Sequence, residues 1–140
     1  MNKNLTGDLL KALCDMGHGD KVAIVDANFP AHTIGQQVIT YPGIGATELL
    51  SIISDIFPLD HIVREPVLLM DLTEEDRNTM AEPEIWSDFL KIIHKAYGED
   101  IKVGKLSREE FYKASKGAYL IIQSSEERLY GNIILVKGIL

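Results

Sequence analysis

Two short runs in this chain, Val22-Ala23-Ile24-Val25 and Val67-Leu68-Leu69-Met70, are apolar without a break, and each runs directly into a carboxylate, Asp26 or Asp71. A strand with one wet face alternates polar and apolar residues. One that does not alternate is covered on both faces, and helices are the usual cover. The rest of the sequence supplies them. Leu5, Leu9, Leu10, Leu13 and Met16 recur at helical spacing, as do Leu49, Leu50, Ile52, Ile53, Ile56 and Phe57, and again Ile85, Phe89, Ile92, Ile93 and Ala96. Strands alternating with helices imply an α/β fold, a three-layer α/β/α domain with a largely parallel or mixed sheet.

Local signals place the boundaries. Thr6 is a candidate N-cap for the first helix, and Gly17 can take the left-handed conformation that stops it. Residues 21–26 form the first strand, 36–41 a short second one, and Thr47 is positioned to cap the next helix. Pro83 suits a helix first turn, residues 101–106 read as a strand, and Ser107 with Glu110 has capping-box spacing. Residues 118–123 and 132–136 read as closing strands. No repeat, low-complexity tract or flexible linker interrupts the chain, so residues 1–140 are expected to form a single domain.

Composition removes several classes of function. The chain carries 14 basic against 21 acidic side chains, a net charge of −7, and an acid excess argues against nucleic-acid binding, which needs clustered Lys and Arg. The longest apolar runs fall far short of the roughly 18 residues of a membrane span. At 140 residues about 68–70% of the unfolded surface can be buried, so neither a metal nor a disulfide is needed as a staple. Cys14 is the only cysteine. With no signal peptide, it points to a reducing, cytoplasmic setting.

Ligands of α/β sheets sit at the carboxyl ends of strands and in the loops that follow, which draws attention to His18, Asp26, Asp71 and the loop at residues 27–35. His18 lies between Gly17 and Gly19, so its imidazole is uncrowded, and imidazoles exchange protons near neutral pH. The alternative is a turn histidine that caps the first helix. Asp26 can accept hydrogen bonds from ligand hydroxyls or hold a histidine in one tautomer, or simply cap a turn. Arg108 opens the capping-box helix, and Tyr130-Gly131-Asn132 precedes the last strand with a hydroxyl, an open backbone and an amide. His32 shares the two readings of Asp26, with the structural one favoured, and His61 and His94 have no motif around them.

Other patterns fail. Gly43-x-Gly45-x-x-Glu48 lacks the third glycine of a dinucleotide site. The histidines and Cys14 lack zinc spacing, and Glu74-Glu75-Asp76 lacks the alternation and glycine of a calcium loop, so no metal is expected. Asp26 and Asp71 have the layout of the acidic and phosphoacceptor strands of a response-regulator receiver. Against that, Ala27 follows Asp26 where a second acid belongs, and Gln123 ends the later strand where a receiver has Lys.

Four segments in order are specific together: Gly17-His18-Gly19-Asp20, Asp26-Ala27-Asn28-Phe29-Pro30-Ala31-His32, Arg108 with Phe111-Tyr112, and Glu127-Arg128-Leu129-Tyr130-Gly131-Asn132-Ile133-Ile134-Leu135. In these the chain resembles the RbsD/FucU family, densely at residues 12–37 and 107–138 and faintly across 72–100. The resemblance implies a cofactor-free isomerase that interconverts the α and β anomers of a monosaccharide. It also implies a ring-built homo-oligomer, often a decamer, with the sugar at subunit interfaces. It makes His18 the catalytic proton donor and Asp26, Arg108, Tyr130, Gly131 and Asn132 the sugar-binding residues. The family's D-ribose pyranases carry Thr at the Gly19 position and His near the Arg108 position, so Gly19, Arg108 and the loop at residues 29–32 favour the L-fucose branch. The D-ribose activity and a non-catalytic sugar-binding module are the alternatives. Tyr130, Asp26 and a water remain open as the general base.

Overall fold

Val22, Ala23, Ile24 and Val25 are each 0% exposed, so the first strand is covered on both faces, as its lack of alternation requires. The computed structural model describes residues 1–140. In chain order the elements are α1 (Gly7–Asp15), β1 (Lys21–Val25), α2 (Ala31–Ile34), β2 (Val38–Thr40), α3 (Ala46–Ser54) and β3 (Val67–Met70). There follow α4 (Glu74–Thr79), α5 (Glu84–Tyr97), β4 (Val103–Leu106), α6 (Arg108–Gly117), β5 (Leu120–Gln123) and β6 (Ile133–Val136). Helix α3 packs on α5, α6 packs on α2, and both α3 and α6 reach β1. The core between them holds Leu49, Ile53, Phe89, Ile93 and Phe111, all 0% exposed. Each such side chain contributes roughly 1.5–3 kcal/mol relative to exposure.

The six strands form one mixed sheet in the order β2-β5-β1-β6-β3-β4. Strand β1 pairs parallel with β5, β2 parallel with β5, and β3 parallel with β4, whereas β6 runs antiparallel to both β1 and β3. A receiver's doubly wound sheet has no antiparallel strand between the two that end in its acids, so β6 removes that reading. It also fixes what shares an edge. The carboxyl ends of β1 and β3 meet the amino end of β6, placing Asp26, Met70 and Asn132 together. The opposite edge gathers the loop before β1, the chain after β6 and the segment around Asp60, where Leu59 bridges to Lys137.

Several expected boundaries shift for identifiable reasons. Thr6 caps α1 by accepting from the Leu9 N–H at 3.2 Å, but Gly17 does not stop it. Met16 is the C-cap, in an extended conformation, and the positive φ falls on Gly19 at 87°. The last carbonyls of α1 are instead satisfied by Lys137, whose Nζ donates to Leu13 O at 2.7 Å and Met16 O at 2.6 Å. Cations are favoured at a helix C-terminus. Thr47 lies inside α3; Gly45 holds the cap position and the carboxylate of Glu126 accepts from the Ala46 N–H at 3.3 Å. Leu10 and Ile56, read as core, are 40% and 44% exposed. Ser107 and Glu110 do form a capping box. Helices α2 and α4 were not expected; α4 starts at Thr73, whose hydroxyl accepts from the Asp76 N–H at 3.2 Å.

Candidate active site

Where β1 and β3 end and β6 begins, a cleft of 390 Å³ opens to the surface. Asp26, Asn132, Arg108 and Tyr130 line it, so four of the residues singled out in the sequence share one cavity despite lying up to 106 positions apart. Phe29 from the loop after β1 and Tyr112 from α6 add aromatic walls, their rings edge to face at 5.1 Å.

Asp26 is 8% exposed and Asn132 3%. They are locked reciprocally: the Asp26 N–H donates to Asn132 Oδ1 at 2.8 Å, and Asn132 Nδ2 donates to Asp26 Oδ2 at 3.1 Å. The other carboxylate oxygen accepts from the Asn28 N–H at 3.0 Å. Burial pushes the Asp26 carboxyl above its ordinary value, and the bonds from Asn28 and Asn132 only partly offset this. A half-satisfied, buried carboxylate of this kind is a strong acceptor for a ligand hydroxyl.

Tyr130 adopts φ 63° and is the only non-glycine residue with positive φ. For a bulky side chain this costs on the order of 1–3 kcal/mol, and such strain concentrates at functional sites. The surroundings hold it there: its hydroxyl donates to the Asp76 carboxylate and accepts from the Thr73 N–H at 3.2 Å. Gly131 follows in a tight passage, where a Cβ would meet Glu126 Cγ and Ile85 Cδ1 at 3.0 Å. The turn itself is braced by Arg128, which donates to Glu126 Oε2 at 3.1 Å and to Asp88 Oδ2 at 2.9 Å. Burial raises the Glu126 carboxyl, but the bonds from Arg128 and the Ala46 N–H outweigh it and hold the group below its ordinary range.

Arg108 is the one cation lining the cleft, against Asp26, Glu75 and Asp76. Its Nε donates to the Tyr112 hydroxyl at 3.3 Å, with the guanidinium 5.3 Å from that ring's centre. The remaining donors of its fork are free for a ligand.

His18 lies elsewhere. It precedes β1, so it stands at the far end of that strand from Asp26, five residues at about 3.3 Å each or roughly 17 Å away. Grouping it with the carboxyl ends of the strands does not hold within one chain. Nor does it cap α1, since Lys137 does. Its imidazole is 44% exposed, and Nε2 lies 2.9 Å from Oδ1 of Asp60. Of the other candidates, His32 Nε2 meets Thr40 Oγ1 at 3.0 Å away from the cleft, and Asp71 pairs with Arg77 at 3.0 Å. His61 is exposed and His94 is on α5, both outside the cleft. No group of three or more His, Cys, Asp or Glu side chains is arranged to hold a metal ion, and no helix is long and apolar enough to cross a membrane.

Residues 1–140 match the RbsD / FucU transport protein family. The chain belongs to that family. It is 37% identical over 139 residues to the fucose mutarotase of Homo sapiens, covering 97% of this chain and 90% of that protein. Among solved structures, FucU from Bifidobacterium longum superposes with a TM-score of 0.92 at 40% identity, covering 100% of this chain and 98% of the other. The fucose mutarotase of Streptococcus pneumoniae in complex with L-fucose gives 0.89 at 36% identity, covering 99% and 96%.

For this RbsD/FucU chain, sequence reasoning overlooked the contributions of α4 and of Asp60. Thr73 and Asp76 have the spacing of an N-cap and its partner, so the helix was readable. That its third residue, Asp76, would meet a tyrosine 54 positions later was not. Asp60 lies in Pro58-Leu59-Asp60-His61, where no local pattern marks it.

Proposed function

We propose that this protein is an L-fucose mutarotase, an isomerase that interconverts the α and β anomers by opening and closing the pyranose ring. What carries this reading is the conjunction of Asp26 with Asn132, Tyr130 and Arg108 in one cleft. The chain's relatives are fucose mutarotases along nearly its whole length. A neutral polyol needs acceptors, donors and a flat apolar wall, and Asp26, Arg108 and the rings of Phe29 and Tyr112 supply them. Arg108 and Gly19 favour L-fucose over D-ribose.

Ring opening needs a proton delivered to the ring oxygen O5 as the C1–O5 bond breaks, and another removed from the C1 hydroxyl, leaving an aldehyde. Rotation about C1–C2 and closure by the reverse transfers yield the other anomer. A positioned acid and base give about 10²–10⁴-fold, enough for a reaction that already proceeds in water. Asp26 and Arg108 orient the sugar. Tyr130, whose hydroxyl donates to Asp76, faces the same cavity, and we assign to it the proton of the C1 hydroxyl, taken up as its own proton passes to the Asp76 carboxylate and returned on closure.

His18 is the acid, and a neighbouring copy brings it. A strand's length separates it from the cleft of its own chain, and exposed apolar side chains flank both places: Ile62, Val63 and Ile139 are 66%, 45% and 57% exposed, and Leu129 at the cleft is 59% exposed. Burying one group against the other joins two copies and caps the cleft, as in the ring-built homo-oligomer, a decamer, that the family resemblance implies. We further read residues 1–140 as one domain, on its single sheet, and place it in the cytoplasm, on its one free, exposed thiol at Cys14.

Saturation-transfer NMR on equilibrated L-fucose tests the activity. Inverting or saturating one anomeric proton resonance transfers to the other faster than in buffer if the protein is a mutarotase, and more strongly for L-fucose than for D-ribose. Transfer at the buffer rate contradicts it.

A further inference from the structure

The two glycines that leave the His18 imidazole uncrowded, Gly17 and Gly19, also leave its backbone loosely restrained. A misplacement of about 1 Å can cost a reacting group about 100-fold, so a proton donor on this loop needs a fixed point of departure. Lys137, from the other end of the chain, supplies it. It is part-buried and follows β6, the strand that lies between β1 and β3 in the sheet. Its Nζ donates to Leu13 O at 2.7 Å and Met16 O at 2.6 Å, ahead of His18. Its backbone takes hold behind: Lys137 O accepts from the Gly19 N–H at 2.8 Å, and the Lys137 N–H donates to Asp20 O at 2.8 Å. One residue therefore brackets the histidine with four hydrogen bonds. Between the brackets, the Gly17 N–H donates to Asp20 Oδ2 at 2.7 Å and the Asp20 N–H to Gly17 O at 3.1 Å, closing the turn on itself.

We propose that Lys137 is a positioning residue of the isomerisation, its ammonium fixing the place from which His18 reaches the cleft of a neighbouring copy. This deepens the mutarotase reading and rests on it. The last carbonyl groups of α1 need donors from outside the helix, because the chain leaves at Met16 in an extended conformation. An ammonium has three donors and no acceptor, so it can hold two carbonyl groups at once. Such charge-assisted bonds are roughly twice as strong as neutral ones, and a cation is favoured at a helix C-terminus. The backbone and the side chain of Lys137 thus do separable things. Its backbone bonds would form with any residue but proline and hold Gly19 and Asp20. Only the ammonium anchors the end of α1 to the end of β6, and so sets the direction in which the chain enters Gly17 and His18. Without it the turn keeps its own bonds, but its entry from α1 is free to shift, and the imidazole with it. The cleft of the same chain, at the opposite end of β1, keeps its residues and its affinity.

Lys137→Met separates the two, since it keeps the backbone bonds and removes the ammonium. For K137M with the circular dichroism and elution volume of the wild type, turnover in L-fucose anomer exchange should fall roughly 10–100-fold with KM unchanged. Lys137→Arg, a cation that can again donate to both carbonyl groups, should recover part of it. Mixed assemblies then show on which half of the site the residue acts. Reassembled in equal amounts with Asp26→Ala, K137M places an intact cleft against an intact His18 loop at about a quarter of the interfaces of a closed ring, and exchange should return to about that fraction of the wild-type rate. Reassembled with His18→Ala, it should exchange no faster than K137M alone, because both changes fall on the donor half. Turnover within about tenfold of the wild type, or a loss expressed only in KM, contradicts the proposal. So does recovery with His18→Ala, or no recovery with Asp26→Ala where His18→Ala recovers with it. One check needs no variant to fold: in the wild-type protein an amine-acylating reagent should label Lys137 more slowly than the exposed Lys3, and equal rates overturn the tie. If the wild-type protein itself fails to exchange anomers, the mutarotase reading falls, while the labelling still decides whether the ammonium is held.

Discussion

The hydroxyl of Tyr130 donates to the carboxylate of Asp76, joining the strained residue before β6 to the first turn of α4. Removing that hydroxyl takes the Asp76 bond and the acceptor of the Thr73 N–H together. Tyr130→Phe is expected to cost about 1–3 kcal/mol of stability in urea unfolding at pH 7, the scale of an orphaned buried polar group. Exchange of L-fucose anomers should fall by at least about tenfold, the low end for a positioned acid or base. Exchange at the wild-type rate would remove Tyr130 from the reaction.

On the sugar-binding role proposed for Asp26, the activity should have an acid limb. Its carboxyl is raised above 3.8 by burial, so it protonates at a higher pH than an unfolded aspartate and then becomes a weaker acceptor for a sugar hydroxyl. Sugar affinity should decline on acidification beginning above pH 3.8, and the ¹³Cγ resonance of Asp26 should titrate there too. For stability the sign is the opposite of the usual carboxylate: the native state holds this proton more tightly, so its contribution falls as pH rises through the window above 3.8. A ¹³Cγ midpoint at or below 3.8 contradicts this.

Glu126 shows the usual sign. Its carboxyl is held below 4.5 in the folded chain, so the stability it confers is present above that pH and is lost as pH falls through the lower folded value. Glu126→Gln weakens the bonds to Arg128 and should cost about 1–3 kcal/mol at pH 7. The gap between wild type and variant should narrow below pH 4.5 in parallel urea titrations. A gap independent of pH would show that charge plays no part.

Gly138→Ala tests the close passage beneath Asp60. The new methyl group would meet backbone atoms of Leu59 and Asp60 at 2.6–3.0 Å, and backbone cannot rotate aside. Overpacking of this kind costs typically about 1–3 kcal/mol. A thermal midpoint equal to that of the wild type would show that the segment around Asp60 is free to shift.

The sheet's covered strands were legible because burial on both faces leaves its mark in adjacent residues, as at Val22, Ala23, Ile24 and Val25. The capping box of Ser107 and Glu110 was legible for the same reason, since its partners are three residues apart. The antiparallel placement of β6 was not, because nothing local in Ile133-Ile134-Leu135-Val136 says which neighbours it will pair with or in which direction. The stop of α1 was misplaced because Lys137, 121 positions from Met16, does what Gly17 seemed placed to do. Asp26, Arg108, Tyr130 and Asn132 were recognised from their motifs and share the cleft. His18 was singled out too, but it stands away from that cleft, a distance that follows from strand direction, and its tie to Asp60 spans 42 positions.

That distance leads to the most direct measurement of the account's central claim, that one copy's cleft works with a neighbour's imidazole. The variants His18→Ala and Asp26→Ala should each be inactive alone, as judged by saturation transfer between L-fucose anomers. Unfolded together and reassembled in equal amounts, they place an intact cleft beside an intact His18 at about a quarter of the interfaces of a closed ring, and exchange should return to about that fraction of the wild-type rate. Mixed assemblies as inactive as the separate variants would contradict the account, because the site would then lie within a single chain.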